Sequence, residues 1–323
     1  MRLVAKAEKW KLAEVFTISR GSRAETELVT VTLYDGTFEG RGECMANPRY
    51  NETQESVLAG IKKVDIDDQI DRQKLQTLLP PCAARNAIDC ALWDLEAKRS
   101  GKRVMELFGI SKSATLITAF TISADTPDKM ATAARRNSAR PLLKLKMSGD
   151  GDVDRVKAVR YGAPNARLIV DANEAWTEDM VEPLAKQLQA LGVEMIEQPL
   201  PKGADGALAN VPHIIPFCAD ESCHTSQDLK RLTELYDIIN IKLDKAGGLT
   251  EALRLKKNAI AKGFKIMVGC MISTSLAMAP AYVLAHGAEY VDIDGPLLLA
   301  EDRTHGLEFT GSSVSPPSEF LWG

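Results

Sequence analysis

The chain is poor in the residues that build soft-metal sites. It has four histidines among 323 residues, and its six cysteines, at positions 44, 82, 90, 218, 223 and 270, make no C-x-x-C pair. Zinc needs clustered nitrogen and sulfur ligands, so that chemistry is set aside. Thiols scattered this widely are what a reduced cytosolic chain carries as packing residues, not a disulfide framework. An excess of positive charge is also missing: 40 lysines and arginines stand against 44 aspartates and glutamates, for a formal net charge of −4. Basic runs are short, as in "LRLKKNA", and leave no electrostatic footprint for a nucleic acid. No run of about 18 apolar residues occurs, which excludes a membrane-spanning helix. The stretch "MRLVAKAEKWKLAEVF" lacks the apolar centre of a secretory signal. These absences predict a soluble, cytoplasmic protein with no nucleic-acid or membrane partner.

What is present begins with size. Apolar residues make up 45% of the chain, enough for a large core, and this length suits one α/β barrel with additions or two ordinary domains. Residues 1 to about 50 read as β-structure. Val29, Thr30, Val31 and Thr32 form a β-branched run, and Asp35-Gly36 is a hairpin turn signal. Residues 52 to 109 read as helical. In "AARNAIDCALWDLEAKRSGK", Ala87, Cys90, Ala91, Trp93 and Leu95 fall on one helical stripe, with Gly101 as the stop. From residue 115 strand and helix alternate. The strand candidates are "TLITAFTI", "LLKLKM", "RLIVDAN", "EMIEQPL", "PFCADES", "DIINIKLDK", "KIMVGCMIS" and "YVDIDGP". Between them, stretches such as "TSQDLKRLTELY" and "GLTEALRLKKNAIAKG" read as helices. Eight such units predict a closed parallel barrel. The Pro/Ser-rich tail "GSSVSPPSEFLWG" is expected to pack back on the first module.

Charged residues recur at the strand ends. Lys146 closes the second candidate strand, Asp171 the third, Glu197 the fourth, Asp220 the fifth and Lys245 the sixth, one every 23 to 26 residues. That period is one βα unit, so all five are expected at the C-terminal rim, where barrel enzymes keep their chemistry. Any one alone is an ordinary solvated strand end; five in register are not. Three carboxylates from adjacent strands repel unless a cation sits among them. Oxygen-only ligation suits a hard ion, Mg²⁺ before Mn²⁺. The run "RPLLKLKMSGD" sets Lys144 and Lys146 on one strand face within an apolar sequence. Two buried ammonium groups require something anionic opposite them, and a cavity holding the metal site provides it. A cationic neighbour favours the neutral form of a lysine. Lys144 would thus help Lys146 act as a base, with Lys245 as the base on the other side. Such a pair can remove a proton next to a carboxylate on one face and return it on the opposite face, while the metal stabilises the enediolate.

The segments "KLKM", "IVDANEAW", "MIEQPLP", "CADESCH" and "NIKLDKAGGLTEAL" together resemble the enolase superfamily, muconate-lactonising-enzyme subgroup. The resemblance covers nearly the whole chain, through "RGSRAE", "GRGEC" followed by "PRYNE", and "AARNAIDCALWDLEAK". A lysine base working with Mg²⁺ is an established property of that superfamily. Within the subgroup the chain looks like the dipeptide epimerases, those of L-Ala-D/L-Glu in particular. The resemblance implies an α/β fold: a modified (β/α)7–8 TIM barrel over residues 115–297 with an N-terminal α+β capping domain, residues 1–114, completed by the C-terminal segment 298–323. It implies Mg²⁺-dependent epimerisation of a dipeptide, L-Ala-L-Glu with L-Ala-D-Glu in the first place, in cell-wall peptide recycling. It sets Arg23, in a loop at 19–24, against the substrate's Glu side-chain carboxylate, an apt bidentate pair. It assigns Asp292 and Asp294 to the substrate's amine, and Thr121 and Ser273 to the pocket wall.

Other residues have plainer duties. Asp292 and Asp294 share a strand face, which suits an ammonium group without any resemblance. Asn173 and Glu221 are expected behind the metal ligands, holding them. Gly247 and Gly248 permit a tight turn. Trp93 and Trp176 read as core, and His224 as a helix-start or surface residue. The competing activities are those of an o-succinylbenzoate synthase, a cycloisomerase or an N-acyl amino acid racemase of the same subgroup, which need no amine pocket. A non-catalytic metabolite-binding barrel would gain little from opposed lysines. Dipeptide specificity and assembly into a homo-oligomer, common among such barrels, stay open at this level.

Overall fold

The computed structural model describes residues 1–66, 70–111 and 114–323; residues 67–69 and 112–113, inside the expected cap, lie outside the described residues. The N-terminal module opens with a three-stranded antiparallel meander, β1 (Arg2–Ile18), β2 (Gly21–Asp35) and β3 (Phe38–Met45). Helices α1 (Gln54–Lys62), α2 (Arg72–Leu78), α3 (Ala83–Ser100) and α4 (Val104–Leu107) follow. Asp35 pairs with Phe38 across a two-residue turn, Gly36-Thr37, in which Gly36 has φ +56°, a left-handed conformation that glycine adopts freely at the first turn position.

Helix α3 is the spine of the molecule. Val29, Val31 and Leu33 of β2 share a buried core with Ala87, Ala91 and Leu95 of α3. The approach to β3 is so close that a Cβ on Gly40 would lie 2.2 Å from the Ala91 carbonyl oxygen, and one on Gly42 2.1 Å from that of Ala87. The expected single stripe is in fact two. Cys90, Trp93 and Ala97 belong to a different core, the one surrounding the barrel. A helix held between two layers is apolar on both sides. Gly101 ends it in left-handed conformation, its N–H donating to the Ala97 carbonyl.

After β4 (Leu116–Ile117) come eight parallel strands: β5 (Phe120–Ile122), β6 (Leu142–Lys146), β7 (Arg167–Asp171), β8 (Val193–Glu197), β9 (Phe217–Ala219), β10 (Ile238–Ile241), β11 (Lys265–Val268) and β12 (Tyr290–Val291). They are hydrogen-bonded in chain order. The Ala119 N–H donates to the Val291 carbonyl at 2.7 Å and so links the two ends of the curled sheet. All eight candidate segments carry strands. Among the described residues, the helices of this region are α5 (Pro127–Arg136), α6 (Asp152–Gly162), α7 (Glu178–Ala190), α8 (Leu229–Leu232), α9 (Leu243–Ala246), α10 (Leu249–Ala261) and α11 (Ser275–Ala285).

One connection is less helical than its sequence pattern. "TSQDLKRLTELY" yields only the single turn α8. Its leading backbone N–H groups are taken by side chains: His224 and Thr225 donate to Asp228 Oδ2, and Ser226 donates to Glu251 Oε1. Such local bonds compete with helix. The chain ends in the hairpin β13 (Phe309–Thr310) and β14 (Ser313–Val314), which pairs with β4. Beyond it, Trp322 is fully buried, its Nε1 donating to the Cys90 carbonyl at 2.9 Å, and the Gly323 N–H reaches Asp94 Oδ1 at 2.7 Å. Both acceptors lie on α3. Among the described residues no helix is long and apolar enough to cross a membrane.

Candidate active site

Alternation along the strands builds the site. The lowest interior layer is apolar: Ala119, Leu142, Ile169, Met195, Cys218, Ile238, Met267 and Tyr290 form one buried cluster. Two residues further along, on the same strand face, stand Thr121, Lys144, Asp171, Glu197, Asp220, Asn240 and Asp292, all buried. The interior therefore turns from apolar to charged within one layer.

Asp171, Glu197 and Asp220 each offer a carboxylate oxygen, and these atoms lie within 4.8 Å of one another. Asp171 Oδ1 accepts the Asn173 N–H at 2.9 Å, and Glu197 Oε1 accepts Asn240 Nδ2 at 2.6 Å. The Asp220 N–H donates to Gln198 Oε1 at 3.0 Å. Buried charges need partners, and four lysines provide them. Lys144 Nζ is 2.8 Å from both Glu197 Oε2 and Asp292 Oδ2, and 3.3 Å from Asp171 Oδ2. Lys146 Nζ is 2.6 Å from Asp171 Oδ2, Lys242 Nζ 2.7 Å from Asp220 Oδ2, and Lys245 Nζ 2.6 Å from Asp220 Oδ1.

Electrostatics follow the geometry. Burial pushes the Asp171 carboxyl up, but Lys146 and Lys144 outweigh it and hold the group lowered to about 2. Burial likewise opposes the lysines at Asp220, where Lys242 and Lys245 prevail and keep it well below the usual range. Glu197 is raised, by burial and then by Asp171. Burial disfavours the Lys144 ammonium, yet Asp292, Glu197 and Asp171 hold its pKa well above the ordinary value. Glu197 Oε2 has the Lys144 ion pair but no hydrogen bond. Three buried carboxylates with oxygen donors alone fit a hard cation.

Above the triad lies a cavity of about 460 Å³, lined from below by Thr121, Lys144, Lys146, Asn173, Asp220, Glu221, Lys242, Asp292 and Asp294, and from the cap by Phe16, Arg20, Arg23, Asn47 and Tyr50. Asp294 Oδ2 accepts the Thr121 N–H at 2.7 Å, and burial followed by the neighbouring Asp292 pushes its carboxyl up to about 7. Asp292 Oδ1 has no hydrogen bond. Arg23 has Met45 Sδ, at 3.8 Å, as its hydrogen-bond partner. Among the described residues no carboxylate forms an ion pair with it. Burial and the nearby Arg20 guanidinium shift Arg23 down.

Two family models match the chain: the mandelate racemase / muconate lactonizing enzyme N-terminal domain over residues 1–109, and the enolase C-terminal domain-like fold over residues 129–319. The chain belongs to the mandelate racemase/muconate lactonizing enzyme family. It is 46% identical to the L-Ala-D/L-Glu epimerase of Escherichia coli K12 over 94% of this chain and 96% of that protein. It is 44% identical to the N-acetyl-D-glutamate racemase of a Pseudoalteromonas species, over 92% of this chain and 95% of that one. Its fold matches the crystal structure of an enolase family member from Agrobacterium tumefaciens with homology to dipeptide epimerases, described with bound sodium, L-Ala-L-Glu and an ordered loop. The TM-score is 0.97 at 51% identity, covering 99% of each chain.

In this mandelate racemase/muconate lactonizing enzyme chain, the expected residues do not all reach the cavity. Lys245 lies on α9 and does not line it. Its ammonium is satisfied by Asp220 O at 2.5 Å, Asp220 Oδ1 at 2.6 Å and Asn240 O at 3.1 Å. Lys242 stands in the cavity instead, in phase with Ile238 and Asn240. The 25-residue spacing pointed to Lys245; the two-residue alternation points to Lys242. Ser273 is fully buried and absent from the cavity wall, which Cys270, Met271 and Ile272 of the same loop supply. Asn173 and Glu221 do stand beside the ligands. The Asn173 backbone holds Asp171, and Glu221 Oε1 accepts Arg20 Nη2 at 2.9 Å. His224 stays out of the cavity wall, its ring edge-on to Tyr50 at 4.6 Å. Asn240 and Gln198 went unnoticed because they are uncharged and act through neighbouring strands of the barrel, and Arg20 and Arg49 because their contacts join loops distant in sequence.

Proposed function

We propose that the protein epimerises a dipeptide, L-Ala-L-Glu with L-Ala-D-Glu, by moving the α-proton of the second residue from one face to the other. The observation that carries this reading is the flanking of the carboxylate triad by two cavity-lining lysines. Lys146 on β6 and Lys242 just beyond β10 are separated by β7 and β8, which end in Asp171 and Glu197, and by β9, which Asp220 directly follows. We assign the two bases to Lys146 and Lys242 in place of Lys245. One amine takes the proton, the other ammonium delivers a proton to the opposite face, and the two lysines exchange protonation states while the carbon inverts.

Asp171, Glu197 and Asp220 would hold the ion, which we take to be Mg²⁺. Bound there, it supplies positive charge to the substrate carboxylate and favours the neutral form of the neighbouring amines. Asp294, with Asp292 and Thr121, would receive the substrate's amine, and Arg23 the Glu side-chain carboxylate. We take residues 1–114 and 298–323 as the cap, 115–297 as the barrel, and the cytoplasm as the site of action.

Racemisation of an N-acyl glutamate is the second reading, favoured by the Pseudoalteromonas relative. It would need Asp294 to face an amide instead of an ammonium. Proton NMR in D₂O with Mg²⁺ separates the two. Loss of the Glu α-proton signal from L-Ala-L-Glu, with growth of the L,D diastereomer, supports the dipeptide reading. Exchange on N-acetyl-glutamate alone overturns it. A chelator should abolish either.

A further inference from the structure

Two cap loops roof the cavity. The tip of the β1–β2 hairpin supplies Arg20, Ser22 and Arg23, and the segment after β3 supplies Asn47, Arg49 and Tyr50. Both loops reach one shared acceptor, the carboxylate of Glu174. Arg49 donates to it through Nε at 2.7 Å and Nη2 at 2.8 Å, Arg20 through Nη1 at 3.2 Å, and the Lys202 backbone N–H at 2.7 Å. The Glu174 side chain is only 7% exposed, whereas those of Arg20 and Arg49 are 35% and 34% exposed. Glu174 sits three residues after the triad's Asp171, on a loop whose Asn173 carbonyl also accepts Ser19 Oγ and Arg20 Nη1, each at 2.9 Å. The second arm of Arg20 reaches Glu221 beside Asp220.

We infer that Glu174 is a latch that closes the two cap loops as a single lid. The bidentate Arg49 pair fixes the carboxylate in the orientation that Arg20 also uses, so loosening one loop frees the acceptor of the other. Each arginine side chain is about a third exposed, so water reaches these pairs and they open more readily than the fully buried ion pairs of the cavity floor. Glu174 touches no reacting atom; it is a positioning residue for Arg23 and Tyr50. The inference concerns any ligand of this cavity and does not depend on which substrate is turned over.

Hydrogen–deuterium exchange of the full-length protein tests it, with Glu174→Gln and Arg49→Gln compared with the parent chain. In each variant, exchange at amides 19–23 and 47–52 should rise together by roughly tenfold, with the barrel strands unchanged. Exchange confined to 47–52 in Arg49→Gln would mean that the loops move independently and would overturn the inference. So would protection of both loops retained in Glu174→Gln. Either variant suffices if the other fails to fold. On a turned-over substrate, Glu174→Gln should raise KM with a smaller change in kcat. A merely structural residue would lower active concentration and leave KM unmoved.

Discussion

The floor of the cavity is carried by strands and its roof by loops, and the two are built on different rules. On the floor, the layer from Thr121 to Asp292 stands two residues above an apolar one, and Lys144, Lys146 and Lys242 each have a carboxylate within ion-pair distance. On the roof, Arg23 is held by a thioether and no acid among the described residues. A paired, buried floor is rigid and suited to fixed proton transfers. A roof with an unmatched cation is suited to choosing what lies beneath it.

The sharpest way to break this contrast lies on the floor. Lys242→Ala and Lys146→Ala should each lower turnover by about 10²–10⁴-fold, the usual worth of a positioned acid or base. Each should still exchange the α-proton of one stereoisomer in D₂O, because one base remains. Lys245→Met should do less to proton exchange and more to metal affinity, since it loses a bond to the triad's Asp220 and touches no cavity. Calorimetric metal titration beside the exchange assay reads both. Exchange that survives on both stereoisomers in Lys242→Ala and is lost on one of them in Lys245→Met would reverse the assignment.

The same contrast explains what could be read beforehand. Strand-borne residues recur with the βα period, so Asp171, Glu197 and Asp220 were legible from spacing, as were the eight strands. Lys242 was legible too, but only through the finer alternation that puts it in step with Asn240. Past the strand end the chain coils into α9, and the longer period carried the reading on to Lys245. Helix α3 concealed that its apolar residues serve two cores, because a sequence does not state how many layers flank a helix. The Glu174 latch was invisible. Its partners are separated from it by more than a hundred residues in Arg20 and Arg49, and no period connects them.

A smaller effect is expected where floor meets roof, at Asp294. Asp294→Asn keeps the acceptor for the Thr121 N–H and removes the charge. With an ammonium group as its partner, kcat/KM for L-Ala-L-Glu should fall about 10–100-fold, the range for a charge-assisted hydrogen bond. Metal affinity should stay within a factor of a few, as Asp294 is outside the triad. Steady-state kinetics on the dipeptide and on N-acetyl-glutamate give the comparison. An equal fall on both would show that Asp294 shapes the pocket without reading the amine.

The mildest change belongs to the roof. Arg23→Met leaves the strands and the triad untouched and exchanges a lone guanidinium for an apolar side chain beside Met45. If Arg23 receives the substrate's side-chain carboxylate, kcat/KM for L-Ala-L-Glu should fall about tenfold, while that for L-Ala-L-Leu holds or rises. The rise is physical: an apolar residue no longer has to be buried against an unpaired cation. If Arg23 instead only props up the hairpin tip, both dipeptides should suffer alike, and loop exchange at 19–23 should increase without ligand. The ratio of the two rates therefore separates a residue that reads the substrate from one that shapes the lid, which neither rate does alone.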